Sequence, residues 1–292
     1  HTGEVPEDNR DSLQFKRVQN LPDFLRTRFA KDHETVRRVK NKLQFGLEKI
    51  DPHNPRISDA VPLNPFNKVY SAYISQSSLI STPSETNPLE SLENVGKVTV
   101  LGPAEGGIAE ERGVPLSARN IDSSHLGILD PARTPESGHA GIDQRFTITA
   151  ARDKAGKLYS KVLDTQGKVK YLSVVELMDS VIGFADQKKA GDMVEAQDHG
   201  EMRRVPRSKV QYWVFDPTSL YTVTTNLVPF LNSNHPGRLT MAGKALPQAL
   251  SLVNRTVPLV QTLNSAGKPF VKDMGMVTST NSLVHGTVVE AN

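Results

Sequence analysis

The chain has 292 residues, which a prior of roughly 150 residues per domain divides into about two domains with room for a substantial core. Hydrophobic residues make up 37% and charged residues 23%, which excludes intrinsic disorder and collagen-like repeats, and no run of roughly 18 apolar residues offers a membrane span. Cysteine is absent, which removes disulfides, thiol catalysis and cysteine-based zinc sites together, and the net charge of +3 conceals ten Lys or Arg against four acids between Lys16 and Lys49.

That basic stretch reads either as a nucleic-acid footprint, since phosphates bind Lys and Arg with release of counterions, or as a solvated helix face. Residues 1–100 are predicted to be helical. Pro22 suits a first helical turn and Asp23 the positive helix end; Val36, Val39, Leu43 and Leu47 then recur every three or four residues as an apolar stripe. Pro52, Pro55, Pro62 and Pro65 make 52–68 a loop, and Tyr70 to Ile80 predicts another helix, stopped near Pro83. A short strand at Val98 to Leu101 precedes a segment rich in Gly, Pro and charge that runs to about Gly141. Then the signal turns to β. Phe146, Ile148 and Ala150 alternate, Asp153 to Gly156 and Asp164 to Gly167 are turn clusters, and Val210, Tyr212 and Val214 alternate again, which reads as a meander. A helix is predicted near Pro236 with Asn234 as N-cap and Leu239, Ala242, Leu246, Ala249 and Val253 as its apolar stripe; Pro247 should kink it against the carbonyl of Gly243. Strand-like segments around Phe270 to Val271 and Thr287 to Glu290 close the chain. The expected class is α+β: a helical part over 1–100, a loop-rich segment over 101–145, and a β-rich part with a kinked helix and terminal strands over 146–292.

The chemistry-bearing patterns are sparse. Gly102, Gly106, Gly107 and Gly113 lack the Gly-Lys-Ser/Thr ending of a phosphate-cradling loop, and Glu105, Glu110 and Glu111 would repel phosphate. Asp122, His125, His139 and Asp143 are metal-ligand types without a metal-binding spacing, and Ser137 beside His139 lacks a nucleophile elbow; a small hydrolase stays open as an alternative. Arg238 is better motivated. It stands in the first turn after Asn234-His235-Pro236-Gly237, where backbone N–H groups and the helix dipole add to its guanidinium, so an anion such as a triphosphate would be favoured there; a plain surface arginine is the ordinary alternative. Gln248 falls roughly opposite the apolar stripe, where it would reach either a ligand or solvent.

Several segments, in order, resemble the β subunit of cellular-type multisubunit RNA polymerases. Ser77-Ser78-Leu79 and Thr86-Asn87-Pro88-Leu89 resemble the rifampicin-region segment ending in Asn-Pro-Leu; Leu101-Gly102-Pro103, Gly106-Gly107-Ile108 and Glu111-Arg112 resemble fork loop 2. Arg119, Ser124-His125-Leu126-Gly127, Thr134-Pro135-Glu136 and Gly141-Ile142 resemble the stretch with the Thr-Pro-Glu-Gly signature. Leu227-Val228-Pro229-Phe230-Leu231, Arg238, Met241, Gln248 and Pro258-Leu259-Val260 resemble the segment in which an Asn-Arg pair opens a helix, and Asp11-Ser12-Leu13 with Lys16-Arg17-Val18 resemble the Leu-Gly-Asn-Arg-Arg region.

The resemblance implies a DNA-directed RNA polymerase that extends RNA with NTPs by a two-metal mechanism, its Mg2+ held mainly by another large subunit. It implies that Arg238 contacts the incoming triphosphate, that Glu136 lies at the edge of the NTP site, that Gln248 is near the RNA 3′ region, that Arg112 is by the downstream duplex, and that Lys16 and Arg17 face nucleic acid. Glu110, Ser137-Gly138-His139 and His235-Pro236-Gly237 depart from the family pattern, and Ser81, Ser84, Asn94 and Thr99 replace the usual residues at positions aligned with rifampicin contacts, which implies resistance to that drug. The chain ends at Asn292, before the family's double-psi barrel segment. The expectation is therefore one piece of a β subunit, similar to the split polymerases of giant tailed phages. Such a piece would be inactive alone, would be partnered by remaining β pieces, a β′-like subunit, template DNA and nascent RNA, and would work in the cytoplasm or virion without a membrane. A stand-alone nucleic-acid-binding module built on residues 16–49 is the second expectation.

Overall fold

The computed structural model describes residues 9–50, 64–77, 79–82, 86–102, 107–189, 191–250, 259–263, 269–273 and 287–290. Most of the expected loop at 52–68 lies outside these residues, as do Ser78, Pro83, Ser84, Pro103, Glu105, Gly106, Val253 and Pro258. The class is α+β, and the chain divides into two units: Gln19–Thr82 with Gly102–Gly107, and His1–Val18 and Pro83–Leu101 with Ile108–Asn292.

The smaller unit is helical. In α1 (Leu21–Lys31), Pro22 occupies the first turn and Asp23 closes a capping box by accepting from the Asn20 amide at 3.1 Å. Asp32 ends α1 and begins α2 (His33–Glu48), its carboxylate accepting from the Thr35 amide (3.0 Å) and hydroxyl (2.7 Å). A further helix, α3 (Asn67–Gln76), replaces the expected Tyr70 to Ile80 span, its end coming at Ser77, where the backbone turns extended. Phe24 stacks on Tyr73 and Phe29 meets Phe66 edge-on, with ring centroids 6.4 and 5.3 Å apart. The stripe on α2 is only half sheltered, Val36 and Leu47 being exposed.

The larger unit is organised by a mostly antiparallel sheet. Its members are β3 (Ala151–Arg152), β4 (Leu158–Asp164), β5 (Val169–Ser173), β6 (Val181–Gly183), β7 (Met193–Asp198), β8 (Glu201–Pro206) and β9 (Tyr212–Val214). In space the order is β8-β7-β6-β9-β4-β5, with β3 following β9 along one edge of β4; only the β6–β9 pairing is parallel. Leu158, Ser160 and Val162 alternate inward along β4. Asp164 to Gly167 makes the β4–β5 turn: the Gly167 amide donates to the Asp164 carbonyl (2.8 Å), and φ of +78° at Gly167 suits a residue without Cβ. Gly183 lies against the Trp213 ring, whose atoms stand 2.6 Å from where a Cβ would be. Phe146 to Ala150 does not form the predicted strand. Phe146 makes one bridge to Leu129, and the residues after it turn toward β3, with the Ile148 amide donating to the Tyr221 carbonyl.

Around the sheet lie α4 (Pro88–Val95), the short β1 (Lys97–Thr99) paired with β2 (Asp143–Arg145), α5 (Val174–Met178), α6 (Val223–Asn226) and α7 (Pro236–Gln248). Strands β10 (Leu259–Leu263), β11 (Pro269–Asp273) and β12 (Thr287–Glu290) form a separate three-stranded sheet, the last two at the terminal positions predicted. Between Glu111 and His125 the backbone makes three short 3-10 turns in a long irregular segment, as the composition led one to expect.

A buried polar network joins these elements. Glu93 on α4 and Arg133 are 6% and 8% exposed; Arg133 Nε donates to Glu93 Oε2 at 2.6 Å and its Nη2 lies 2.5 Å from the same oxygen. Asp130, 1% exposed, accepts from the Ala132 amide (2.8 Å) and the Thr222 amide (2.7 Å). Thr222 caps α6 by accepting from the Thr225 amide and turns its hydroxyl toward Glu93 at 3.5 Å. Nearby Arg145 has its pKa pushed down by burial and by the Arg133 charge.

Two outcomes follow. Removing one partner of a buried ion pair leaves an uncompensated charge, so Glu93→Gln should lower the unfolding free energy of the chain by about 3 kcal/mol in denaturant titrations, while adding Arg133→Met to it should restore most of the loss. A loss under about 1 kcal/mol for the single variant would contradict a dry pair. At the β4–β5 turn, Lys170 and Thr165 bond to Asp164 and bring its pKa down from 3.8 to about 2. A depressed carboxylate stabilises the fold above its unfolded pKa and loses that effect as pH falls, here from near 3.8 toward about 2. An NMR titration of the Asp164 carboxyl should therefore centre near 2 and move back toward 3.8 in Lys170→Met.

Candidate nucleotide and nucleic-acid contacts

Helix α7 carries two of the residues singled out by sequence. Leu239 faces inward against Val228 and Leu231, which fixes the rotation of the helix and leaves Arg238, one residue earlier, exposed in the first turn. The guanidinium Nη1 lies 3.7 Å from Met241 Sδ. The N-cap is His235, not Asn234. Its Nδ1 accepts from the Gly237 amide at 3.2 Å, whereas the Asn234 amide group donates back to the Pro229 and Phe230 carbonyls (3.0 Å each) and stabilises the tight turn where Phe230 has φ of +54°. Pro236 has no N–H and that of Gly237 is already used, so the guanidinium is the main cationic donor at this helix end.

Gln248 is exposed at the far end of α7, ten residues and about 15 Å along the axis from Arg238, so the two cannot hold the same group. Pro247 lies in the last turn, and the helix ends one residue beyond it.

The other residues sit in the irregular segment and near the N-terminus. Glu136 and Arg112 are both exposed. The loop that bears Glu136 is held from inside: Thr134 Oγ1 accepts from the Gly141 amide (2.8 Å), and Arg119 donates to the carbonyls of Gly138 (2.6 Å) and Glu111 (3.0 Å). His139 stands between Glu111 (3.4 Å) and Asp143 (3.8 Å), and Lys97 pairs with Asp143 at 3.3 Å. Asp122 and His125 form a different local cluster in which the Asp122 carboxylate accepts from Ser124 and Asn9, and burial pushes the His125 pKa down. Among the described residues no group of three or more His, Asp or Glu is placed to hold a metal ion, and no hydrogen bond links Ser137 to His139. Lys16 is half-buried and its ammonium donates to the Asp11 carbonyl at 2.8 Å, while Arg17 is exposed. Among the described residues no hydrogen bond or ion pair joins Arg238, Glu136, Gln248, Arg112, Lys16 and Arg17 to one another. No described helix is long and apolar enough to cross a membrane.

Sequence reasoning passed over most supports of these side chains. Glu93, Asp130 and Arg133 were not singled out, and Asn87 entered only within the Thr86-Asn87-Pro88-Leu89 match, although Asn87-Pro88 is an N-cap followed by an N1 proline, a signal that could have marked the start of α4.

No family model matches the chain. The DNA-directed RNA polymerase subunit beta of Syntrophus aciditrophicus (strain SB) is 27% identical to it over 274 residues, covering 88% of this chain and 20% of that protein. The chain thus spans about a fifth of the length of the curated relative it matches. Similarity over so much of the chain supports a polymerase β-like segment, and it runs through α7 and the buried network that carries it.

Proposed function

We propose that the chain is a segment of the β subunit of a DNA-directed RNA polymerase and contributes contacts to the incoming NTP, the RNA 3′ region and downstream DNA. The observation that carries this reading is the 27% identity across 88% of the chain to a polymerase β subunit. Arg238 would receive the triphosphate, aided by the positive end of α7, with Glu136 at the edge of that site; Gln248 would lie toward the RNA, and Arg112 with Lys16 and Arg17 toward nucleic acid. The Mg2+ of two-metal chemistry would be held mainly by another subunit, and activity would belong to an assembly containing a β′-like subunit and the remaining β pieces. Glu110, Ser137-Gly138-His139 and His235-Pro236-Gly237 support a divergent enzyme of phage type, acting in the cytoplasm of an infected cell.

In the assembled enzyme, Arg238→Ala removes a charge-assisted contact and should raise the NTP KM by roughly tenfold or more in initial-rate assays, with Arg238→Lys intermediate. An unchanged KM would refute the assignment of Arg238. The same assembly should keep transcribing at rifampicin concentrations that arrest a sensitive polymerase measured alongside it.

A further inference from the structure

We propose that Asn87 is a positioning residue: its side-chain amide clasps the C-terminal end of α7 to the N-terminal end of α4, and this clasp sets where Arg238 and Gln248 stand. The second half of the statement rests on the polymerase reading; the clasp itself does not.

The last turn of any helix leaves carbonyls without intrahelical donors. In α7 the shortage is sharpened by Pro247, which has no N–H to offer the carbonyl of Gly243. Asn87 supplies donors to the same helix end. Its Nδ2 donates to the Leu246 carbonyl at 3.2 Å and to the Ala249 carbonyl at 3.1 Å, while its Oδ1 accepts from the Leu89 amide at 3.0 Å and so caps α4. One planar group thus ties two helix ends that are about 160 residues apart in sequence. The orientation of the amide is fixed by chemistry, because only the NH2 side can face two carbonyls and only the oxygen can face an N–H.

A second attachment lies in the middle of α7. Gly243 packs on Arg133, whose Cδ stands 3.5 Å from where a Cβ would be, and Arg133 is ion-paired to Glu93 near the other end of α4. Helix α4 therefore holds α7 at its middle and at its C-terminal end, while Leu239 packs the N-terminal part on Val228 and Leu231; Arg238 stands about 7.5 Å along the axis from the Gly243 contact. Releasing the clasp leaves the van der Waals contacts at Gly243 and Leu239, which tolerate a small tilt. A pivot of about 10° around Gly243 would then displace the Arg238 backbone by about 1 Å, a shift large enough to degrade the placement of a reacting group.

Asn87→Asp separates the two roles of the residue. Aspartate caps α4 as well as asparagine does, but it has no donor and sets its charge against two carbonyl oxygens. Hydrogen exchange on the full chain should show the amides of residues 243–249 exchanging roughly tenfold faster in Asn87→Asp, with those of residues 89–92 unchanged. In the assembled enzyme the same variant should raise the NTP KM several-fold with kcat held, a split that a general loss of folded protein would not produce. Unchanged exchange in 243–249 would overturn the clasp. Faster exchange with an unchanged KM, in an enzyme whose KM does rise in Arg238→Ala, would overturn the positioning role. If Arg238→Ala also leaves KM unchanged, the polymerase assignment of Arg238 fails and takes the positioning role with it, while the exchange result stands for the clasp.

Discussion

The Arg133 guanidinium and the Glu93 carboxylate meet at 2.5–2.6 Å in the interior of the larger unit, and neither would be tolerated there alone. Taking either ion out of water costs several kcal/mol, and the mutual attraction offsets that only in one close geometry with the remaining oxygens and N–H groups satisfied. Here that geometry requires three segments at once: α4 for Glu93, the turn after Asp130 for Arg133, and the start of α6 for the Thr222 hydroxyl. Asp130 completes the arrangement by tying the Thr222 and Ala132 amides to the same place. The pair consequently adds registration more than net stability, since an apolar pair of similar volume would be about as stable but would accept sliding.

That registration reaches the candidate site through α7. The helix has small residues where it meets its support, Gly243 against Arg133, and its apolar side packs Leu239 on Val228 and Leu231. Elsewhere in the unit the same economy of space recurs where β6 meets β9, since the Trp213 ring occupies the volume a side chain at Gly183 would need. Both are close approaches of backbone to a large side chain, and both hold an element in one register.

Much of the architecture was legible because local chemistry and long-range packing agree. Asp164 to Gly167 is a turn on its residue types and in fact, and Val210, Tyr212 and Val214 alternate into β9 and the strip before it. The failures have identifiable causes. The β7–β8 hairpin turns on His199-Gly200, with φ of +49° and +83°, and histidine is not the residue that this turn ordinarily advertises. Phe146 to Ala150 has the period of a strand, but Phe146 finds only a single bridge, so alternation alone did not decide its structure. Asn234 was the better N-cap by propensity, yet Pro229 and Phe230 claim its amide for the preceding turn, and His235 takes the cap instead. Glu93 and Arg133 are 40 residues apart, and nothing in either segment's local pattern marks them as partners.

The candidate site divides along the same line. Arg238, Glu136, Gln248, Arg112 and Arg17 are exposed, and most of these were singled out by motif order and resemblance. Of their supports, Arg133 and Glu93 under α7 are buried, while Arg119 under the Glu136 loop and Asn87 at the end of α7 are half-buried. A side chain that meets a ligand needs to be in one place only while the ligand is bound, but its supports must keep one geometry throughout, which charge-assisted and bidentate bonding provides. The departures at His235-Pro236-Gly237 fall on the exposed approach to Arg238, upstream of the Gly243 contact and the Asn87 clasp. Substitution there alters how the guanidinium is presented without touching the Gly243 contact or the Asn87 clasp.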